Sequence, residues 1–232
     1  MSDVGAMGWL FIAYMLVLFP MGAIRTARRV RVARESGGAV PLPSRTRLYL
    51  STLVVQASLG LMAYAVSRQL GTSLMGTRDI ASLTTIHWLY GVATLIVLCL
   101  LAELSWRTRP EAERRSMFTR LLLPQSPRER VLFGLVVLAA GTCEELAFRG
   151  ALFQLLGIMT GSLLASAVLC SVDFALVHYP QGRRSMVTIF FMALLKHSLV
   201  MLTGTLLVSM VVHVAYDLVA TWRTARRFAT AA

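Results

Sequence analysis

Apolar runs of membrane-crossing length, separated by short polar segments, set the pattern of this chain. Seven can be drawn, at 8–24, 48–66, 84–103, 131–156, 162–178, 185–201 and 205–222. About 20 apolar residues carry a helix across a hydrocarbon core about 30 Å thick, so each run reads as a transmembrane helix. Within lipid the backbone must satisfy its own hydrogen bonds, which leaves helices and closed barrels. The two-residue alternation of a barrel strand is absent. The expected fold is all-α, a polytopic bundle of about seven transmembrane helices.

Composition agrees, with 56% hydrophobic residues and a mean hydropathy of +0.67. Charge changes the picture more. The net charge is +12, and Lys196 is the single lysine among 23 basic residues. In a soluble protein such an excess suggests nucleic acid, but these basic loops lack interleaved aromatics and any recognisable module. No nucleic-acid partner is expected. Instead, 19 of the 23 fall in loops and a tail on one side of the seven spans, and only Arg68 and Arg78 lie on the other. Basic residues mark the cytoplasmic side, so the N-terminus is expected outside and the C-terminus in the cytoplasm. The first run has no basic residue before it and a basic loop after it. That is the reverse of a secretory signal peptide, and it is expected to persist as a helix.

The arginine-rich, lysine-poor composition points to a GC-rich, bacterial genome, and so to an integral, multi-pass protein of a bacterial plasma membrane. Residues 111–123 carry the pattern of an amphipathic helix at the cytoplasmic surface. Cys99, Cys143 and Cys170 all fall in apolar runs without paired spacing. They suggest packing rather than a disulfide or a thiolate metal site. Two regions follow, 1–127 with the N-terminal spans and cytoplasmic loops, and 128–232 with four helices that hold almost every intramembrane polar group.

Those polar groups are the informative residues. Charge at membrane depth costs ~2.5–3.5 kcal/mol per residue on insertion scales, so Glu144, Glu145 and Arg149 in one apolar run demand a reason. Glu145 and Arg149 are four apart and share a helix face, which lets them pair. Glu144 lies about 100° around the helix and is left free to act as a base. Phe174 and His178 are one turn apart, as are His213 and Asp217. Measured from the outer helix ends at 1.5 Å per residue, Glu144, His178, His213 and Asp217 lie ~14–24 Å deep, a shared layer. Lone groups receive plainer readings. His87 and His197 are expected to pack, Lys196 to snorkel outward or cap a polar contact, and Asp173 to stand off the His178 face.

In this order and spacing, Glu144-Glu145-x-x-x-Arg149, Phe174-x-x-x-His178 and His213-x-x-x-Asp217 resemble the CPBP family. These are the CAAX prenyl proteases and bacteriocin-processing enzymes, and the likeness covers roughly residues 128–220. The resemblance implies an intramembrane endopeptidase that hydrolyses a hydrophobic or lipidated peptide or protein tail. It casts Glu144 and His178 as the groups that activate water. His213 and its partner Asp217 would hold the oxyanion or a metal, and Glu145 and Arg149 would brace the site. Family members are described both as metalloproteases and as metal-free glutamate-dependent enzymes. Zinc on Glu144, His178, His213 and Asp217 is therefore one implied cofactor state, and none the other. The implied partners are the lipid bilayer and a hydrophobic peptide or membrane-anchored protein substrate.

Two departures from the family pattern stand out. The last motif often ends in Asn, and an ionised Asp217 cannot donate to an oxyanion as an amide can. Phe190 and Phe191 also lack the glycine spacing usual between the second and last motifs. Two other functions fit intramembrane charge: a proton-coupled transporter relaying protons through Glu144, Glu145 and His178, or a non-catalytic membrane immunity or partner protein. Internal repeats and broken helices, the usual marks of a transporter, are not evident in the sequence. On the charge pattern, a reporter fused after Ala232 should be active when it is a fluorescent protein and inactive when it is alkaline phosphatase. The opposite result would invert the topology.

Overall fold

The computed structural model describes residues 4–36, 41–114 and 117–229. Seven principal helices carry the fold: α1 Gly5–Glu35, α2 Arg45–Leu70, α3 Thr85–Thr108, α4 Pro127–Thr160, α5 Leu163–Val177, α6 Arg183–Thr203 and α7 Leu206–Ala229. Six are long and apolar enough to cross a membrane, all but α5. The expected seventh span is a helix of only 15 residues, about 22 Å at 1.5 Å per residue and short of a hydrocarbon core. Its stop is chemical. Pro180 follows, cannot continue a helix, and the chain instead makes a single 3-10 turn over Tyr179–Gln181.

Local sequence explains the other boundaries. Ser44, Ser126 and Ser162 each turn a side-chain oxygen onto a backbone N–H at the start of α2, α4 and α5. At α4 this is joined by Pro127 in the first turn and by Glu129, whose Oε2 accepts from Gln125 N at 2.7 Å. α1 and α7 run well beyond their apolar stretches, carrying Arg25 to Arg34 and Arg223 to Arg227 on their ends. Two short helices, Glu111–Arg114 and Met117–Leu122, occupy the segment expected to be amphipathic; residues 115–116 between them lie outside the described residues.

α4 packs along α2, α5 and α7, while α3 packs on α6 and α7, and α1 on α2 and α5. One apolar cluster ties α1, α2, α4 and α5 through Phe11, Met15, Leu59, Phe148, Leu152 and Phe174. A second joins α3, α6 and α7 through Leu98, Met192, Leu199, Val208 and Val212. Leu10, Val54, Leu61, Leu138, Leu164 and Leu202 point outward from the bundle. Lipid tails are as apolar as these side chains, so burying them would gain little. Close backbone approach does more. At Gly141, a Cβ would meet Val214 Cγ2 at 2.5 Å and Val214 N at 3.1 Å, so only glycine lets α4 come this close to α7.

The two ends of the bundle are tied differently. At one, the α2–α3 loop clasps the α6–α7 turn. Thr77 N and Arg78 N both donate to Gly204 O at 3.0 Å, Leu206 N donates to Met75 O, and Arg78 Nε donates to Thr203 O at 2.8 Å. Gly204 turns there with φ +69, a conformation that L side chains rarely adopt. Arg78, one of the two arginines on this side, is thus a helix cap. At the other end, Arg107, Arg223 and Arg227 converge on Glu103. Replacing Gly141 with Val should lower stability by about 1–3 kcal/mol, the usual cost of overpacking, seen as earlier thermal unfolding in detergent. A variant as stable as the parent would mean that α4 and α7 are not in contact there.

Candidate active site

The layer predicted from the sequence is built around Glu145, whose side chain is 0% exposed between α4, α6 and α7. Its Oε1 accepts from Arg149 Nη1 at 3.2 Å, from Lys196 Nζ and from His213 Nδ1 at 2.8 Å. Its Oε2 accepts from Ser209 Oγ at 2.7 Å. One carboxylate therefore gathers donors from three helices. The α4 backbone is π-helical from Glu145 to Leu152, with i→i+5 hydrogen bonds, so the widened turns begin at this residue.

Glu144, the last residue before the π segment, faces a different neighbour set. Gln56 of α2 donates from Nε2 to Glu144 Oε1 at 2.7 Å. The other oxygen, Oε2, lies 3.9 Å from His213 Nε2. His213 thus stands between the two adjacent glutamates, with Nδ1 on one and Nε2 toward the other. Its Nε2 is also 3.8 Å from Asp217 Oδ2, one turn along α7. Both separations are too long for direct hydrogen bonds and suit a bridging water.

The second motif is set by the end of α5. His178 turns out of the helix at φ -92, ψ 10, and its N–H reaches back to Ala175 O rather than to the i−4 carbonyl. The carbonyl of Phe174 that this leaves over takes the imidazole Nδ1 instead, at 2.7 Å. A carbonyl only accepts, so Nδ1 of His178 carries a hydrogen. The same logic holds for His213, whose Nδ1 meets the Glu145 carboxylate. Each ring is thereby fixed in orientation, with Nε2 turned away from that contact.

Phe174 links these parts. Its ring lies 4.6 Å from the His178 ring and 6.3 Å from that of His213, and meets Phe148 edge-on at 4.8 Å. The Arg149 guanidinium sits 4.5 Å from its centroid, a cation–π contact. Phe174 therefore positions both histidines and the arginine.

A cavity of about 450 Å³ opens over this layer, lined by Gln56, Glu144, Phe174, His178, Lys196, His213 and Asp217. It continues past Leu98, Val137 and Met192 to Trp106, Arg223 and Arg227 at the end of the bundle that carries the basic loops. Glu144, His178, His213 and Asp217 are thus brought to one cavity. Glu145 and Arg149 lie buried behind it. The expected zinc ligands fare differently. Among the described residues, no three His, Cys, Asp or Glu side chains are grouped so as to hold a metal ion.

Of the two expectations for Lys196, the second holds: it does not snorkel but is 4% exposed and capped against Glu145. Two contributors were not foreseen. Ser209, one turn before His213, and Gln56, in an otherwise apolar run, also join the site. A glutamine at membrane depth facing a carboxylate helix was the available signal for the last. Asp173 and His197 are buried but do not line the cavity; neither Asp173 oxygen has a partner among the described residues. His87 accepts at Nδ1 from Thr84 N at 3.0 Å and caps α3, and Cys143 packs against Gly60 of α2.

Residues 126–219 match the family model described as Type II CAAX prenyl endopeptidase Rce1-like. No curated protein and no solved structure matches the chain significantly. Replacing Glu145 with Gln leaves Arg149 and Lys196 buried against a neutral group. Breaking such a pair costs about 3–5 kcal/mol, which mixed-micelle unfolding should register as a large loss of stability. Parent-like stability would mean that the carboxylate is not the anchor of these three helices.

Proposed function

Residues 126–219 belong to the CPBP family of Rce1-like CAAX prenyl endopeptidases, and on that premise we propose that this integral, multi-pass membrane protein hydrolyses a peptide bond in a hydrophobic or lipidated tail. The observation that carries this reading is the single cavity shared by Glu144 Oε2, His178 and His213 Nε2, with one oxygen of Glu144 already held by Gln56.

Glu144 is the general base. Gln56 holds Oε1, which leaves Oε2 to take a proton from water. His178, with Nε2 free to accept, orients that water. His213, braced by Glu145, fixes the far side of the water site. Attack on the carbonyl moves the negative charge from Glu144 to the carbonyl oxygen. Collapse of the tetrahedral intermediate then expels the amine, which takes the proton from Glu144. The mechanism needs no metal and uses only groups this chain places around the cavity. The mouth lies among the basic loops, which positive-inside topology puts in the cytoplasm of a bacterial plasma membrane. The substrate is thus a tail delivered from the cytoplasmic side, its apolar part against Leu98, Val137 and Met192.

Purified protein in detergent should cleave an internally quenched farnesylated tail peptide, or a membrane-anchored peptide from a library. Glu144→Ala should lower turnover by at least about 100-fold, the range of a positioned acid–base group, with thermal unfolding unchanged. Undiminished cleavage in that variant would remove Glu144 from the role. Cleavage should also survive exhaustive chelation. Loss of activity restored by added zinc would replace the glutamate-only mechanism with a metal-assisted one.

A further inference from the structure

The second half of α1, Phe19–Glu35, differs from the rest of the basic end. Between Met21 and Arg34 it carries Arg25, Arg28, Arg29, Arg31 and Arg34, and no acid. All five arginines are exposed, and among the described residues none has a hydrogen-bond or ion-pair partner. Other arginines of the chain are engaged. Arg78 caps a carbonyl, Arg149 pairs with Glu145, and Arg107, Arg223 and Arg227 share Glu103. Like charges three and four apart on a helix repel, so the unpaired set calls for a counterion. The fold around it offers none. This half of α1 packs on α5, on the Tyr179–Gln181 turn and on Met117–Leu122. Of these segments only α5 holds a carboxylate, Asp173, and it is buried.

The same packing fixes which way the arginines point. Ala23, Ala27 and Val30 are half-buried and Ala33 is buried, so this face turns to the bundle. Met21 and Ile24 stay exposed on the opposite face. Met21, Arg25 and Arg28 follow at i, i+4 and i+7, as do Ile24, Arg28 and Arg31, which stacks each set along one side of the helix. Depth agrees with that order. Gly5 to Ile24 rises ~30 Å at 1.5 Å per residue, the thickness of a hydrocarbon core, and Arg25 is the next residue. The headgroup layer adds about 5–7 Å on each side. Arg25 to Arg29 rises ~6 Å and spans it. Apolar side chains thus stand at acyl-chain level, with guanidiniums directly above them at phosphate level. A guanidinium meets a phosphate with two parallel N–H donors, a match that an ammonium lacks.

We propose that this face of α1 is a binding site for an anionic phospholipid. Its phosphate is held by Arg25, Arg28 and Arg31, and its acyl chains lie along Met21 and Ile24. Charge complementarity selects the headgroup. An anionic lipid brings the net negative charge that the chain does not supply, whereas the ammonium of a zwitterionic lipid cancels its own phosphate. Each basic residue close to an anionic membrane surface strengthens the attraction about fivefold. No catalytic group takes part, so binding can be read without turnover and separately from the hydrolytic reading above.

The test titrates fluorescent phosphatidylglycerol, and the matching phosphatidylcholine, into the detergent-solubilised full chain. The parent should bind phosphatidylglycerol at least about tenfold more tightly. Replacing Arg25→Gln, Arg28→Gln and Arg31→Gln together should bring the two lipids within about threefold of each other. Thermal unfolding should be unchanged, because all three side chains are exposed. If the triple variant does not fold, Arg25→Gln and Arg31→Gln made singly should each weaken phosphatidylglycerol about fivefold. Removing the same charge at Arg128, Arg130 and Arg183, exposed residues outside α1, should leave the preference intact. Millimolar inorganic phosphate should not displace the lipid, since it has no acyl chain to lie along Met21 and Ile24.

Three results would overturn the site. Equal affinity of the parent for both lipids would do so without any variant. So would a preference that survives the α1 substitutions, or one lost equally on the substitutions outside α1, which would make it a property of total charge. Displacement by inorganic phosphate would leave a bare anion site and remove the lipid from it.

Discussion

The Glu145 carboxylate is the constraint on which the rest of the structure depends. It is fully buried, and it collects Arg149 from its own helix, Lys196 from α6, and His213 and Ser209 from α7. A lone carboxylate at this depth would be strongly unfavourable, and so would a lone arginine or lysine. Each is tolerable only in the presence of the others, so the three helices are held in register as a set. Apolar packing in lipid lacks that specificity, since side chains leave one hydrocarbon environment for another. The ion cluster supplies the direction that the apolar surface cannot.

Function follows from the residue next to it. Adjacent glutamates on one helix point to different neighbours, and here that difference separates two tasks. Glu145 is saturated with donors and anchors. Glu144, held at one oxygen by Gln56, leaves the other facing an open cavity beside His213. The imidazole between them touches both: Nδ1 is committed to the anchor, and Nε2 faces Glu144 and Asp217 on the cavity side. His178 reaches the same state by another route, through a carbonyl released where α5 ends. Two histidines each held through Nδ1, beside one available carboxylate oxygen, suit the movement of protons to and from water.

The backbone at these places is as particular as the side chains. α4 becomes π-helical at Glu145, and Gly141 allows that helix to close on α7 just before the glutamates. α5 stops after 15 residues, and its terminal histidine lines the cavity. The cavity itself runs from this layer toward Arg223 and Arg227.

Much of this was legible in the sequence because membranes enforce simple rules. Span positions follow from hydropathy, and the pairings Glu145–Arg149, Phe174–His178 and His213–Asp217 follow from a helical turn of about 3.6 residues. The depth of each polar group follows from counting residues. Those inferences are local or one-dimensional, and they hold because the helix is the only open-ended structure lipid permits. What tertiary structure alone decided is which helices meet. No spacing rule links Gln56 to Glu144, 88 residues apart, or Lys196 to Glu145, 51 apart. A lysine near a helix middle reads equally well as reaching for the interface or as turning inward, and only a carboxylate on a neighbouring helix settles the choice. Likewise, no spacing or hydropathy signal marks the widened turns of α4.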